Sequence, residues 1–280
     1  MFRIPIGKYV EIIIDWMTDK LEPLFALVRN ILLSIVDGIE IVLTSIPFYI
    51  MILIIALIAW KVRNKNVAIF SIIGLLLIES IGLWNETMLT LSLVTTATII
   101  ALVIGLPLGI WMSRSDKADN IIRPVLDFMQ TMPAFVYLIP AVYFFNLGPV
   151  PGVFATVIFA MPPVVRLTSL GIRQVPKDVI EASKAFGSTS KQLLFKVQIP
   201  LAMPTILAGL NQTIMLSLSM VVISAMIGAK GLGEVVLNGI QRMQVGNGFE
   251  GGLAVVILAM LLDRITQGLG DSKPKLKTKN

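Results

Sequence analysis

Long apolar runs separated by short polar stretches dominate this sequence. Between Glu86 and Arg114 the chain carries no charged residue. This run of about 27 residues exceeds the roughly 20 that a helix needs to cross a hydrocarbon core of about 30 Å. Runs of this kind predict an all-α, polytopic transmembrane helix bundle of about seven spans. The predicted spans lie near residues 46–60, 67–84, 88–112, 133–147, 153–171, 204–226 and 252–268.

The fourth predicted span, residues 133–147, is as short as the first, and both are shorter than the other predicted spans. A segment of about 15–17 apolar residues is also compatible with a partly re-entrant chain.

The N-terminal region has a different pattern, with an apolar stripe and scattered charges. The stripe, at helical spacing, consists of Leu24, Val28, Ile31, Ile35 and Ile39. Such a helix lies in the membrane interface more readily than it spans, which predicts an amphipathic interfacial helix. The alternative is a further span over residues 24–45, which Arg29, Asp37 and Glu40 disfavour because charges inside a bilayer are costly.

These patterns divide the chain into four parts. They are an interfacial segment (1–45), scaffold helices (46–85), a transmembrane core (86–268) and a basic cytoplasmic tail (269–280).

The distribution of Lys and Arg predicts the orientation of the spans. One set of connections and the C-terminal tail hold most of the basic residues, whereas the opposite connections hold only Lys230 and Arg242. Because cytoplasmic loops carry the excess of Lys and Arg, the basic set and the C-terminus are predicted to be cytoplasmic and the N-terminal segment external. Trp60, Trp84 and Trp111 stand at predicted span ends, as interfacial tryptophans do; the alternative is that they only pack inside the protein.

Composition supports a membrane protein and restricts its chemistry. The chain is 56% hydrophobic and 14% charged, against roughly 45–50% and about 25% in soluble domains. It has no Cys and no His, which excludes disulfides, Cys or His metal sites and His acid–base catalysis. The net charge of +6 is explained by membrane orientation and does not require nucleic acid as a partner.

The polar loop between Gly171 and Pro204 has the signals of a helical hairpin. Pro176 suits the first turn of a helix, acidic Asp178 and Glu181 follow early, and Gly187 can end the helix. A second short helix is predicted over 191–198, capped by the preceding hydroxyl residues and stopped by prolines at 200 and 204.

The predicted hairpin presents an apolar ridge of Ala182, Ala185 and Phe186. A protruding helix with small residues can dock in a groove on another protein. No nucleophile with a neighbouring base lies in this loop, so hydrolytic chemistry is not expected.

The loop resembles the EAA loop of the permease subunits of ABC importers. The matching residues are Glu181, Ala182, Ser183, Gly187, Val197, Ile199 and Pro200, at the spacing of that motif. Ser183 replaces the second Ala, and Val197 and Ile199 are conservative replacements. The resemblance implies that this loop, with Ala185 and Phe186 on its ridge, contacts the ATP-binding subunit.

The resemblance extends over about two thirds of the chain, from Glu86 to Gly268. Stretches such as 149–152, 162–168, 171–176 and 228–233 resemble permeases of the glycine betaine and proline betaine importers. The family implies the type I importer fold, no catalytic residue and no cofactor on this chain. It also implies two copies of the permease, an external substrate-binding protein and two ATPase subunits that bind ATP and Mg. Choline, carnitine or another small solute are the alternative substrates.

Candidate residues of the translocation path are few. Asn211, Gln212 and Thr213 form a polar set early in the sixth predicted span; they line the path or bond between helices. Met215, with other methionines, either forms a pliable gate or only packs. No aromatic cage for a quaternary ammonium group is recognisable, and tight recognition is expected in the binding protein.

Five further positions were considered. Gly105 and Gly109 predict a close helix–helix contact. Arg166 and Asp263 lie near the predicted cytoplasmic ends of spans and are expected to reach towards the interface. Glu79, within the second predicted span, receives no role.

Two other classes of protein are consistent with a polytopic chain. An ion-coupled secondary transporter predicts internal repeats and intramembrane charge, and the sequence shows neither feature clearly. A channel or structural membrane protein predicts no dependence on an ATPase.

Overall fold

The N-terminal region consists of two helices in the computed structural model, which describes residues 5–271. Helix α1 spans Ile6–Lys20 and α2 spans Glu22–Ser45. The chain then turns by 104° into α3, Phe48–Val62. Pro47 stands at this break, where its ring and missing N–H prevent the helix from continuing. The basic tail from residue 272 onward lies outside the described residues.

Helix α2 contacts the core with a face one residue away from the predicted stripe. Leu32 and Val36 are buried in a cluster with residues of the core, whereas Leu24 and Ile31 are exposed. The Ser92 hydroxyl donates to the carbonyl of Val36 at 3.0 Å. The face of α2 that meets the core is therefore set by tertiary packing and does not coincide with the apolar stripe of the sequence. The interfacial position of this segment stays a prediction.

The scaffold helices α3 and α4 form an antiparallel pair. Helix α4 spans Lys65–Ser80, and its first turn is capped by Asn64, whose side chain accepts from the Val67 N–H at 3.0 Å. The inner faces of both helices join a buried cluster with the core, in which Ile52, Leu75 and Ile78 take part.

The centre of the bundle is α8, Pro149–Arg173, which lies between α5, Trp84–Arg114, and α11, Ile199–Ala225. Most of its residues are buried. Glycines allow the neighbouring helices to approach its backbone. A Cβ on Gly109 of α5 would lie 2.6 Å from the Val165 carbonyl oxygen, and one on Gly209 of α11 would lie 3.1 Å from Val164 Cα. The predicted close contact at Gly105 and Gly109 is thus an α5–α8 contact within one chain.

Between α5 and α8 the chain forms a bent pair of helices. Helix α6, Asp116–Thr131, is followed after Pro133 by a 3₁₀ turn, Ala134–Tyr137, and by α7, Leu138–Phe145. The two parts meet at 106°. The predicted fourth span, 133–147, is therefore only the second arm of a broken element.

The C-terminal part returns along the bundle. Helix α12, Leu232–Gln241, is followed by α13, Val245–Asp271. The inner face of α13 joins the same buried cluster as α3, α4 and α11.

The helices of the core define two ends of the bundle. At the first, the Arg173 guanidinium donates to the Met112 carbonyl at 2.8 Å, so that the last turns of α5 and α8 meet. At the second, the Gly148 N–H donates to the Ile227 carbonyl at 2.9 Å. We call the first the basic end, because it carries the Lys-rich loop after α8, and the second the opposite end.

Fewer helices are long enough to cross a bilayer than the predicted number of spans. Within residues 5–271, four helices have the length and hydropathy of a span, or six elements if each bent pair counts as one. Helices α3 and α4, with 15 and 16 residues, are about 23 Å long and shorter than a core of about 30 Å. The all-α membrane bundle is confirmed, but seven uniform crossings are not.

Candidate coupling loop and translocation face

The loop at the basic end contains a short, exposed helix. Helix α9 spans Lys177–Ala185, directly after Pro176. Asp178 lies in its first turn and Lys184 in its last, so both charges complement the helix dipole. Every residue of α9 is exposed or half-buried, and this polar surface explains why the segment leaves the apolar bundle.

The end of α9 is fixed by a Schellman motif. Gly187 has φ +79°, its N–H donates to the Lys184 carbonyl at 2.9 Å, and the Ser188 N–H donates to the Ser183 carbonyl at 3.1 Å. This pair of bonds satisfies carbonyls that the helix leaves open. A left-handed backbone favours glycine, which gives the glycine of the predicted motif a geometric role.

The outward surface of α9 is formed by the residues that the sequence predicted. Glu181, Ala182 and Ala185 are exposed, and Phe186 is 91% exposed. Ser183 is half-buried, and its hydroxyl donates to the Val179 carbonyl at 2.8 Å. A serine at this position therefore bonds within the helix and does not enlarge the outer surface.

The second half of the loop anchors it to the bundle. Thr189 caps the helix that starts at Ser190, and a reciprocal bond with Gln192 completes a capping box. Two consecutive leucines then enter the core: Leu193 and Leu194 are buried, and Leu194 contacts a cluster that includes Ile172 and Ala202. This Leu-Leu pair within a polar loop was a signal that the sequence analysis left unused.

Pro200 does not stop the second helix. Residues Leu193–Gln198 form a π-helical turn that leads without a break into α11, so that one continuous helix runs from Ser190 to Ala225. The wider turn accommodates a proline that has no N–H to donate. Val197, Ile199 and Pro200 are half-buried, and Ile199 packs against the anchoring cluster. The predicted end at Pro200 was wrong.

An ionic network joins the base of the loop to α6. Besides its bond to Met112, Arg173 donates to Asp116 Oδ1 at 2.8 Å, and its guanidinium lies 3.9 Å from Asp119 Oδ2. Asp119 also accepts from Arg123 at 2.8 Å. The hydrogen bond and the charge of Asp119 raise the pKa of Arg123 above its usual value, so this guanidinium stays charged.

Arg166 also belongs to this connection. It pairs with Asp127 of α6, whereas the sequence analysis expected it to reach towards the interface. That expectation took no account of a partner on another helix. Arg173 lies in a stretch that the sequence analysis quoted, but only the structure gives it a role.

The four candidate path residues separate into two sets. Asn211 Nδ2 donates to Asp263 Oδ1 at 2.8 Å, and Asn211 Oδ1 accepts from Thr266 at 2.7 Å. Asn211 therefore joins α11 to α13 by hydrogen bonds. Asp263, which was expected to reach towards the interface, has a hydrogen-bond partner on another helix. Thr213 is buried within the chain.

Gln212 and Met215 lie on the exposed side of α11, in line with Ser219 and Met226. We call these four residues the α11 open face. The Ser219 hydroxyl donates to the Met215 carbonyl at 3.0 Å, but an exposed Gln212 amide facing hydrocarbon is costly in a bilayer, so this face is suited to a water-filled path or to another subunit. Ser219 was not predicted from the sequence. It lies four residues after Met215 and seven after Gln212, which is the spacing of residues on one helix face.

The described residues offer no site that resembles a metal centre: within residues 5–271 no group of three or more Asp or Glu side chains converges. At the base of the loop, Arg166 and Arg173 of α8 form ion pairs with acidic residues of α6. The arrangement is thus suited to contact another protein and to transmit movement.

Comparison with known proteins identifies the class of this chain. Residues 101–271 match the model of the family described as binding-protein-dependent transport system inner membrane component. The glycine betaine transport system permease protein OpuAB of Bacillus subtilis is 52% identical over 95% of both chains. The glycine betaine/proline betaine permease protein ProW of Escherichia coli is 51% identical over 97% of this chain and 77% of its own.

A third relative and a solved structure agree. The glycine betaine/carnitine transport permease protein GbuB of Listeria monocytogenes is 50% identical over 94% of this chain and 95% of its own. The MetNI methionine ABC transporter, solved in inward-facing conformations, superposes with a TM-score of 0.58 and 23% identity over 68% of this chain and 93% of that chain. That likeness concerns the fold. The chain belongs to the family of binding-protein-dependent transport system inner membrane components, the membrane-spanning subunits of ABC importers.

Proposed function

We propose that this chain is the permease subunit of an ATP-driven importer for glycine betaine or a related quaternary ammonium osmoprotectant. The relatives that are 50–52% identical over nearly the whole chain are named for glycine betaine transport, which supports this substrate over choline. The observation that carries the proposal is α9, an exposed helix with a Schellman cap that protrudes from the basic end between two central helices of the bundle.

Helix α9 is the surface that contacts the ATPase. Its outer residues Glu181, Ala182, Ala185 and Phe186 are accessible, and Gly187 sets the direction of the chain after them. The anchoring residues Val197, Ile199 and Pro200 connect this surface to α11. A displacement of α9 is therefore transmitted to α8 at one side and to α11 at the other.

The complete importer has two copies of this chain, two ATPase subunits and an external binding protein. Because each chain carries one coupling loop, two copies match two ATPases in a symmetric arrangement. ATP and Mg bind to the ATPases, and this chain holds no cofactor. Closure of the ATPases would move the α9 helices and switch the bundle between inward-open and outward-open forms by rigid-body motion.

The substrate passes along the α11 open face. Gln212, Met215 and Ser219 supply polar and polarisable groups on the exposed side of this span. A weak site is sufficient there, since the binding protein supplies the tight recognition. Asn211 and Thr213 support this helix from behind and do not contact the solute.

The basic end faces the cytoplasm of a bacterial cell. It holds the Lys-rich loop with Lys177, Lys184 and Lys191, and cytoplasmic loops concentrate such residues. The C-terminus is then cytoplasmic, and residues 1–45 lie at the external side.

Uptake of radiolabelled glycine betaine by proteoliposomes tests the proposal. The vesicles contain the chain with its partner ATPase and binding protein, and ATP is enclosed at the ATPase side. ATP-dependent uptake that proline betaine competes, and that methionine does not, is expected. ATP-dependent import of another solute would keep the importer and reject the substrate, whereas uptake driven by an ion gradient without the ATPase would reject the importer.

A further inference from the structure

A cavity of about 470 Å³ lies at the opposite end, between α2 and the core. Its volume is within the roughly 300–1,000 Å³ that is usual for small-molecule sites. Its wall combines the polar side chains of Glu40, Thr44, Asn85 and Lys230 with the apolar side chains of Val36 and Leu89. The proposed coupling and translocation roles use none of these residues.

Lys230 is presented by a rigid loop. Its neighbours Ala229 and Leu232 are buried, and the Leu232 N–H donates to the Thr90 hydroxyl at 2.8 Å. Gly231 has φ +118°, and a Cβ there would lie 2.6 Å from the same hydroxyl. The backbone on both sides of Lys230 is therefore fixed, and the exposed lysine can reach only the space beside this loop.

Glu40 is held on the facing wall with similar precision. One turn before it, Val36 is buried and its carbonyl accepts from Ser92 of α5 at 3.0 Å. One turn after it, the Thr44 hydroxyl donates to the Glu40 carbonyl at 2.8 Å. The bond from Ser92 fixes the register of α2 against the core, which places Glu40 on the wall of the cavity.

The two charges line one cavity without neutralising each other. Among residues 5–271, Glu40 and Lys230 are joined to no partner by an ion pair within 4 Å. Lys230 is also one of only two basic residues in the three connections between spans that the sequence predicts to be external, where Lys and Arg are depleted. A cavity lined by a carboxylate and an ammonium group on well-anchored backbone, together with apolar side chains, is complementary to a small dipolar ion.

We propose that this cavity binds a zwitterionic group whose ammonium and anion are separated by a short linker. Glu40 attracts the ammonium group and Lys230 the anion. Thr44 and Asn85 offer hydrogen bonds, and Val36 and Leu89 contact the methyl or methylene groups. A free betaine and the headgroup of phosphatidylethanolamine both have this chemistry, and the assignment of the free solute rests on the proposed function.

The test uses the chain in complex with its ATPase, in nanodiscs and without the binding protein. Discs of phosphatidylglycerol alone report on binding of radiolabelled glycine betaine, and discs that also contain phosphatidylethanolamine report on retained lipid by native mass spectrometry. Glu40→Gln and Lys230→Gln are expected to weaken binding of the occupant about tenfold each. Arg242→Gln, which removes the other basic residue of the connections predicted to be external, is the matched control and is expected to bind as the unaltered chain does.

A second variant guards against a loss of folding. The double exchange Glu40→Lys with Lys230→Glu keeps both charges in the cavity, and it should recover binding because a zwitterion can reverse its direction. Recovery in the double variant supports the cavity as the site.

The outcomes separate the two sources. Betaine binding that the single variants weaken, in discs without phosphatidylethanolamine, identifies the free solute; retained phosphatidylethanolamine that the same variants lose identifies the lipid. If neither ligand binds, or if Arg242→Gln weakens binding as much as the cavity variants, the inference is overturned. ATP-driven betaine uptake is measured in parallel. Normal uptake by a chain whose cavity binds neither ligand contradicts this inference and leaves the proposed function intact. Absent uptake by a chain that retains phosphatidylethanolamine contradicts the proposed function and leaves this inference intact.

Discussion

Replacement of Gly187 tests whether the shape of the coupling loop matters independently of its chemistry. Gly187 has φ +79°, and a Cβ built there meets no atom within 4 Å. A side chain at this position therefore causes no clash, and its whole effect comes from the left-handed backbone. Gly187→Ala and Gly187→Val are the perturbations, and Gly187→Asn is the matched control because asparagine adopts this conformation more readily.

The expected cost follows from the backbone alone. The left-handed conformation costs an L-residue roughly 1–2 kcal/mol, which changes the ratio of capped to uncapped loop by a factor of about 5–30. Helix α9 has nine residues, and isolated helices shorter than about 12–15 residues are marginal in water. Within the described chain, α9 has no buried side chain. A cost of about 1–2 kcal/mol at its cap is therefore large relative to the free energy that stabilises this helix.

The assay is ATP-dependent uptake by the reconstituted importer, together with hydrogen exchange over residues 177–190. We expect uptake to fall in the order glycine, asparagine, alanine, valine, with faster exchange in the same order. The thermal midpoint of the membrane bundle should not change, because the loop lies outside it. Equal uptake by all four chains would refute the role of the cap, and an asparagine variant as poor as valine would show that side-chain volume matters instead of backbone conformation.

Three further substitutions test contacts inside the bundle. Asn211→Leu should lower the free energy of unfolding by about 1–3 kcal/mol, because its acidic partner on α13 loses a hydrogen bond in a half-buried position. The adjacent Gln212→Leu should leave stability unchanged and slow uptake. Thermal unfolding in detergent measures the stability of both variants, and the uptake assay measures their transport. Gly109→Ala should destabilise the bundle by about 1–3 kcal/mol, since the new methyl group meets backbone of α8, and Gly252→Ala, with open space around it, should be neutral in the same unfolding measurement. Arg173→Lys should reduce uptake at unchanged ATPase binding, because lysine cannot bridge a carbonyl and a carboxylate as a guanidinium does. A pull-down of the ATPase, performed together with the uptake assay, measures assembly. A variant that no longer binds the ATPase would contradict this prediction.

The local signals of the sequence predicted the bounds of helix α9 well. A proline before α9 and a glycine after it determine where a helix can begin and end, and Asp178 and Lys184 agree with the resulting dipole. These are effects of neighbouring residues on the backbone, so they could be predicted from the sequence. The apolar core of each long span was equally recognisable from hydropathy.

Tertiary contacts decided the features that the sequence analysis missed. Pro200 would end a helix in isolation, yet the buried Leu193 and Leu194 hold a π-helical turn that carries the chain past it. Asn211 and Gln212 are adjacent polar residues of one span, and only the position of α13 shows that one bonds inward while the other faces outward. The sharp bends between α2 and α3 and between α6 and α7 likewise depend on where the second helix of each pair packs against the bundle.

The exposure of Phe186 has a consequence for the life of the chain before assembly. A phenylalanine that is 91% exposed at the aqueous end of a membrane protein forgoes roughly 1.5–3 kcal/mol of burial until a partner covers it. If the ATPase is that partner, each newly inserted permease displays an apolar marker that chaperones and proteases recognise, and assembly conceals it. The cellular amount of permease should then follow the supply of ATPase, so that the two subunits reach matching stoichiometry through degradation of the excess.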